Sequence, residues 1–175
     1  MAKDYLNVIE RALMMGISDG INSLTVDGED IHVFGEFPEV EELKFPAIIV
    51  QHTGSGFEEQ MAGQSVSFGS SSGTGEIYGI SYTIHVVCEK ETTIQADTGA
   101  FSASDAYYKQ RRLLNWLMLN VANEVMDLNW DTFQEENLEV LERHLNAWTN
   151  IGFIPELQWY GASADFLITF KNFRT

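Results

Sequence analysis

The chain has 175 residues, of which 45% are hydrophobic, and 26 acidic against 10 basic residues give a formal net charge of −16. This length suits one domain with a full core, spanning residues 1–175. The acidic balance argues against a protein that holds nucleic acid by its phosphates, because such binding needs clustered Lys and Arg. The sequence contains no run of 18 apolar residues, so no membrane span is predicted. The amino-terminal stretch contains Asp4 and Glu10 and is not expected to be a signal peptide.

A first helix is predicted from Asp4 to about Ser18, because apolar residues recur there at three- and four-residue steps. The polar residues 22–30 predict a turn around Asp27-Gly28. A short strand follows at Ile31 to Phe34, and residues 37–44 form an acidic connector. The β-branched run after Phe45-Pro46, from Ala47 to His52, predicts a central strand that begins just after the proline.

Residues 53–75 are rich in Gly and Ser, and a loop of this length inside a compact domain is usually functional or disordered. We expect a hairpin from Glu58 to Phe68, turning at Ala62-Gly63, that protrudes from the sheet as an arm. The glycines also suggest a phosphate-binding loop, but the lysine that such a loop needs does not follow. The arm is expected to contact a neighbouring subunit or partner through Phe57, Met61 and Phe68.

The segment from Glu76 to Lys90 is the clearest strand, because its residues alternate with a period of two. A strand of about 13 residues is long compared with the usual length of about 5–6. A polar loop is expected from Glu91 to Ala103. The single cysteine, Cys88, excludes an intramolecular disulfide, is typical of a reducing compartment, and is expected to be buried and inert.

A long helix is predicted from Ser104 to Asp127, with Ser102 as its N-cap, because one face is aliphatic except for Gln110. Trp116 lies off that face, so the helix is expected to contact something besides its own sheet. The densest basic group of the chain also lies here. It forms either an ion-pair contact to an acidic neighbouring subunit or ordinary solvated charge, and its members are Lys109, Arg111 and Arg112.

The segment from Phe133 to Trp148 fits either a helix or, from Leu138, a strand. After a turn at Ile154-Pro155, two final strands are expected, Leu157 to Tyr160 and Asp165 to Phe170, separated by residues 161–163. Strands in runs, rather than in strict alternation with helices, predict an α+β fold. In this fold, an amino-terminal helix and one long helix back a mostly antiparallel sheet.

Catalytic chemistry is not predicted, and neither a cofactor nor a metal is expected. The four histidines, His32, His52, His85 and His144, are not at metal-ligand spacing in the sequence. His85 and Ser81 share a strand face without an acid placed to complete a triad. The acidic cluster Asp127, Asp131, Glu135 and Glu136 is typical of a solvated charge run.

Three segments carry a resemblance to a known family: GEIYGISYTIHVVCEKET, YYKQRRLLNWLMLNVANEVMD and the ending WYGASADFLITFKNF. With the amino-terminal helix and the strand FPAIIVQ, they resemble the tail-terminator and tail-completion (neck) proteins of tailed bacteriophages. The resemblance implies a strand from Leu138 onward.

The resemblance further implies a structural subunit whose copies form a ring, usually a hexamer. The ring caps the tail tube, joins it to the head-side neck, and lets DNA pass along an acidic lumen without sequence-specific binding. The protein would then be assembled in the host cytoplasm and reside in the virion. Alternatives are a head–tail connector or tail-tube-like subunit, a small cytosolic enzyme and an adaptor.

Overall fold

The structure is a computed structural model that describes residues 5–21, 25–26, 29–39, 41–57, 65–68, 71–89, 109–127 and 138–174. Two helices, α1 (Tyr5–Ile21) and α2 (Lys109–Asp127), accompany eight strands. The strands are β1 (Thr25–Val26), β2 (Glu29–Asp30), β3 (His32–Phe34), β4 (Ala47–Phe57), β5 (Ser65–Phe68), β6 (Ser71–Glu89), β7 (Leu138–Ile154) and β8 (Trp159–Arg174). The predicted α+β class is confirmed.

The main sheet has the strand order β3-β4-β6-β8-β7, and β5 pairs with the first residues of β6. Only β3 and β4 run parallel; the other neighbours are antiparallel. The longest uninterrupted pairing joins β6 to β8, from Thr74 opposite Arg174 to Glu89 opposite Trp159. These two strands therefore form the centre on which the other elements are arranged.

Both helices contact one face of this sheet: α1 contacts β3 and β4, and α2 contacts β6, β8 and β7. The alternation predicted for β6 is confirmed, because every second side chain from Ile80 to Cys88 is buried in the core. The strand is longer than expected and starts at Ser71. The rest of the core comes from β4, β8 and the apolar stripes of the two helices, and its helical members include Ile9, Leu13, Ile17, Leu113, Leu114, Leu117, Val121 and Val125.

The carboxy-terminal part differs from expectation in two respects. The strand predicted from Leu157 begins only at Trp159, because Leu157 and Gln158 belong to the preceding turn. A single strand, β8, replaces the two strands predicted around residues 161–163. Gly161, Ala162 and Ser163 pair with β6 on one side, and β7 pairs along the same stretch on the other. Pairing on both sides overrides the weak strand preference of small residues, since strand propensity depends strongly on neighbours.

The ambiguous segment 133–148 is a strand from Leu138, so the helical alternative is wrong for residues 138–148. The expected turn after Ile154-Pro155 is confirmed. The amide of Leu157 donates to the carbonyl of Ile154 at 3.2 Å. Gln158, in the left-handed region with φ 57°, donates from Nε2 to the carbonyl of Pro155 at 2.7 Å.

The amino-terminal part follows the prediction with longer elements. α1 continues beyond Ser18 to Ile21, which is buried. The predicted turn region 22–30 contains the strand pair β1/β2, with Val26 opposite Glu29. The strand after the cis Phe45-Pro46 bond extends past His52 to Phe57. None of the helices that the structure describes is long and apolar enough to cross a membrane.

The region of the expected arm is partly described. Residues 53–57 belong to β4 and residues 71–75 to β6, and β5 pairs antiparallel with β6 from Ser65 opposite Thr74 to Phe68 opposite Ser71. The turn predicted at Ala62-Gly63 lies outside the described residues. So do the loop from Glu91 to Ala103, the cap at Ser102, helix residues 104–108, and Asp131, Glu135 and Glu136 of the acidic cluster.

Gly152→Ala is expected to lower the free energy of unfolding by about 1–2 kcal/mol, because Gly152 has φ +78° and an L residue in this region costs about that amount. Gly54→Ala is the matched control: both positions have open space for a methyl group, but Gly54 does not have a left-handed φ. The control should leave stability unchanged or raise it by up to about 1 kcal/mol. Urea unfolding measures both, and equal changes in the two variants would contradict the backbone explanation.

Candidate assembly surface

The basic cluster and Trp116 lie on α2, as expected. Arg111 is exposed and Arg112 is half-buried, while of Lys109 only the helical backbone is described. Trp116 is half-buried and packs against the core, and its carbonyl accepts a hydrogen bond from Asn120 Nδ2 at 2.8 Å. Leu119, off the buried face, is exposed. The part of the α2 surface that borders its buried face is thus both apolar and basic.

The three arm residues are placed less completely. Phe57 ends β4 opposite Tyr78, and Phe68 ends β5 opposite Ser71. The side chains of both residues, and Met61 altogether, lie outside the described part of the chain. The described residues thus place Phe57 and Phe68 on the sheet and the basic candidates on α2, on separate elements.

Among the described residues, β7, the edge strand next to β8, contributes more exposed large apolar side chains than any other element. Three of its large side chains are opposite β8 residues that face the helices: Leu145 opposite Phe166, Trp148 opposite Ala164, and Phe153 opposite Tyr160. Directly opposed side chains of antiparallel strands lie on the same face. These three residues, here termed the apolar row, therefore continue the core face out to the sheet edge.

The apolar row is only partly covered. Its side chains keep 41%, 39% and 37% of their surface exposed, in chain order, whereas Phe166 and Ala164 beside them on β8 are 1% and 0% exposed. Phe153 has its ring 4.9 Å from that of Tyr160. On this face Asn150, opposite Ala162, separates Trp148 from Phe153. Several large apolar side chains exposed on one face are typical of interaction sites.

Three bulges shape this edge. The pairing of β7 with β8 skips Leu141, Asn146 and Ile151, so each adds one residue to β7. Leu141 and Ile151 are 41% and 48% exposed and add two further apolar side chains to the edge. Bulges bend a strand and increase its twist, so β7 curves at regular intervals.

Two contacts hold β7 in place. Arg143, opposite Ile168 on the helix side, donates from a guanidinium nitrogen to the carbonyl of Met126 in the last turn of α2. A cation at a helix carboxyl end is favourable because the last carbonyls lack partners and the helix dipole is negative there. On the other side of the strand, Lys171 Nζ lies 2.6 Å from Glu139 Oε2.

The helix-free side of the sheet is more polar. His85 Nε2 lies 3.3 Å from Gln51 Oε1, and the ring of Phe37 lies 5.0 Å from the His85 ring. The hydroxyl of Thr83 donates to Asp165 Oδ1 at 2.6 Å. The sequence did not predict an acid near His85. In the structure Asp165 lies close enough to act on His85 electrostatically, but its hydrogen bond is to Thr83. Within the described ranges, no group of three His, Cys, Asp or Glu side chains could hold a metal ion.

Cys88 is fully buried in the core, as expected for a structural thiol, and burial raises its pKa to about 12, with Glu89 adding to the shift. The thiolate, which is the nucleophilic form, is therefore scarce at neutral pH.

The sequence matches no protein-family model and no curated protein.

In the sequence, Trp148 is only the last residue of an ambiguous segment, and the apolar row is not recognised as a unit. Each bulge shifts the strand by one residue, so the side chains facing the helices recur at alternating steps of three and two. This spacing obscures the period of two by which a strand is recognised. Arg143 and Asn150 occupy two of the positions that face the helices, so the row appears in the sequence only as a step of three and a step of five between Leu145, Trp148 and Phe153.

The stability of the protein is expected to fall as the pH is lowered through about 6.5. Burial lowers the pKa of His85, an effect that Asp165 partly opposes, so the unfolded chain binds a proton at a higher pH than the folded one. The stabilisation that depends on neutral His85 is present above the unfolded pKa of about 6.5 and is lost progressively below it.

The comparison is between wild type and His85→Gln, whose amide can still donate to Gln51. Urea midpoints at pH 7.5 and 5.5 should fall less for the variant than for wild type. An identical fall in both proteins would contradict this role for His85.

Proposed function

We propose that the protein is a structural subunit of a phage tail, a tail terminator or tail-completion protein whose copies form a ring. The ring caps the tail tube and joins it to the neck. The observation that carries this proposal is the exposed apolar row on the long edge strand β7, because a subunit that assembles needs apolar surface left uncovered in the isolated chain. The resemblance of the three sequence segments supplies the identity of the assembly.

The occupant of this surface is a second copy of the chain. Leu145, Trp148 and Phe153 extend the core face of the sheet, so a neighbouring subunit that covers them would continue the same core across the contact. Aromatic side chains are enriched at the centres of such interfaces. The exposed edge of β7 also has unpaired backbone groups to offer, although the bulges limit how regularly another strand could pair with it.

The acidic balance supports the passage of DNA through such a ring. The charged side chains described on the helix-free side of β7 and β8 are mostly acidic: Glu139, Glu142 and Asp165, with Lys171 paired to Glu139. An acidic wall repels phosphates and leaves DNA free to slide. A ring lumen lined by Lys and Arg would be inconsistent with this role.

Within the same class of virion proteins, a tube-like subunit is the less favoured candidate. Tube proteins are expected to form a closed β-sandwich with little helix, whereas two helices of 17 and 19 residues back the main sheet of this chain. A head–tail connector remains the alternative and would also assemble into a ring.

The purified chain is expected to form rings, sixfold in the terminator case, when observed by negative-stain microscopy together with mass measurement. Rings should be most complete in the presence of tail tubes, which would present the surface to be capped. A strict monomer at high concentration, with and without tail tubes, would contradict the proposal.

Trp148→Glu is expected to prevent ring formation without unfolding the chain, because it places a charge in the apolar row at a site that is already 39% exposed. Thr149→Glu is the matched control: it adds the same charge one residue away, on the helix-free side of β7, opposite Ser163. Circular dichroism should show folded protein in both variants. Normal rings from Trp148→Glu, or loss of rings in both variants, would contradict the role of the apolar row.

A further inference from the structure

A cleft opens between α1, the segment after β3, and β4, at the side of the sheet away from β7. Its volume is about 380 Å³, at the lower end of the range of ligand pockets. It is distinct from the apolar row, which lies on the opposite edge of the sheet. The lining residues are Glu10, Gly35, Glu36, Phe37, Gln51 and His52.

The cleft arises because β3 is shorter than its neighbour. β3 pairs with β4 only as far as Phe34 opposite Ile49, whereas β4 continues to Phe57. Just after β3, the chain passes very close to α1 at Gly35. A Cβ atom at Gly35 would lie 2.7 Å from Met14 Sδ and 3.3 Å from Glu10 Oε1. A Cβ atom here would require the flexible ends of Met14 and Glu10 to move, so α1 and the segment after β3 are in close contact at this wall.

The lining is rich in hydrogen-bond acceptors. Glu10 and Glu36 supply two carboxylates, and neither forms an ion pair with any Lys or Arg that the structure describes. Gln51 contributes an amide, whose Oε1 also lies 3.3 Å from His85 Nε2, and His52 contributes an imidazole. Two carboxylates without a described counter-ion, in a chain of net charge −16, favour a cation and disfavour an anion.

A buried hydroxyl next to the cleft lacks a partner. Tyr82 is 1% exposed, and its hydroxyl makes no hydrogen bond to any described group. The Tyr82 ring lies 5.7 Å from the ring of His52, and the charge of Glu10 acts on its hydroxyl. Both neighbours line the cleft, so Tyr82 lies beside it, although Tyr82 is not itself one of the lining residues. Buried polar groups are nearly always bonded, and an exception calls for an explanation such as a bound water or a ligand.

The chemistry of the cleft narrows the kind of cation. A metal ion is disfavoured, because no three metal-ligating side chains come together among the described residues. An organic cation with several N–H groups in one plane matches two carboxylates and neutral acceptors at once. The ring of Phe37, 52% exposed at the cleft, offers a face on which a flat cation can stack.

We propose that this cleft binds the guanidinium group of an arginine side chain presented by a protein partner. Glu10 and Glu36 accept its N–H donors, and Phe37 stacks against its plane. The Tyr82 hydroxyl completes the polar wall behind Glu10 and His52. The site goes beyond the proposed tail function and does not depend on it, because the isolated chain should bind the group.

The test is a titration of the full chain with N-acetyl-arginine amide, followed by NMR on the backbone amides. Saturable shifts should appear at Gly35, Phe37, Gln51 and His52. N-acetyl-citrulline amide is the matched probe, since it has nearly the same shape without the charge, and it should produce no saturable shifts. N-acetyl-lysine amide should bind more weakly than the arginine derivative. Equal binding of arginine and citrulline derivatives, or shifts spread over the acidic surface, would overturn the proposal.

Two double variants test whether binding depends on the carboxylates of the cleft or only on the overall negative charge of the chain. Glu10→Gln with Glu36→Gln should weaken binding of the arginine derivative by about tenfold or more, because hydrogen bonds to charged groups are lost. Glu41→Gln with Glu42→Gln removes the same charge from exposed positions outside the cleft lining and should leave binding unchanged. Equal weakening in the two double variants would overturn the proposal. Tyr82→Phe should weaken binding less than the glutamate pair while preserving the fold.

The arginine could come from a second copy, in which Arg111 is exposed on α2, or from another protein. Sedimentation separates these sources. If Arg111→Ala weakens self-association as much as the Glu10/Glu36 double variant does, the partner is a second copy. If self-association withstands both changes while the arginine derivative still binds, the partner is a different protein. Failure of rings with intact arginine binding would count against the tail function alone.

Discussion

The uninterrupted pairing of β6 with β8 determines where every other element lies. Side chains alternate between the two faces, so a slip of one residue would move Asp165 and Thr169 into the core and expel Phe166 and Ile168. Burying a charged residue unpaired is far more costly than any hydrogen bond gained, so a single register is stable. The two strands then place β4 on one side and β7 on the other, and both helices cover the face that this register makes apolar.

The two sides of this sheet end differently. At the β7 side the core face continues into exposed Leu145, Trp148 and Phe153, whereas at the β3/β4 side it ends beside the carboxylates of Glu10 and Glu36. A ring made by rotation joins two unlike surfaces of each subunit, in contrast to a twofold dimer, which joins a surface to itself. A sheet with one apolar and one acidic side supplies two such unlike surfaces.

The sequence was sufficient for elements whose local pattern matches their environment. β6 keeps a strict period of two, and α2 keeps a clean aliphatic face, so both were predicted with their correct type. β7 was ambiguous because its bulges replace the period of two by steps of three and two. Residues 161–163 were misread because small side chains signal a loop locally, while pairing on both sides makes them strand. The cleft could not be predicted at all, since Glu10, Gly35 and His52 meet only through the packing of α1 on the sheet.

The bulges at Leu141, Asn146 and Ile151 also bear on solubility. A long, flat, apolar edge strand is a template for cross-β stacking, in which identical strands add without limit. Successive bulges interrupt the even ladder of backbone donors and acceptors that such stacking requires, and they twist the edge away from flatness. β7 can therefore expose apolar side chains at the edge of the sheet while resisting fibre growth.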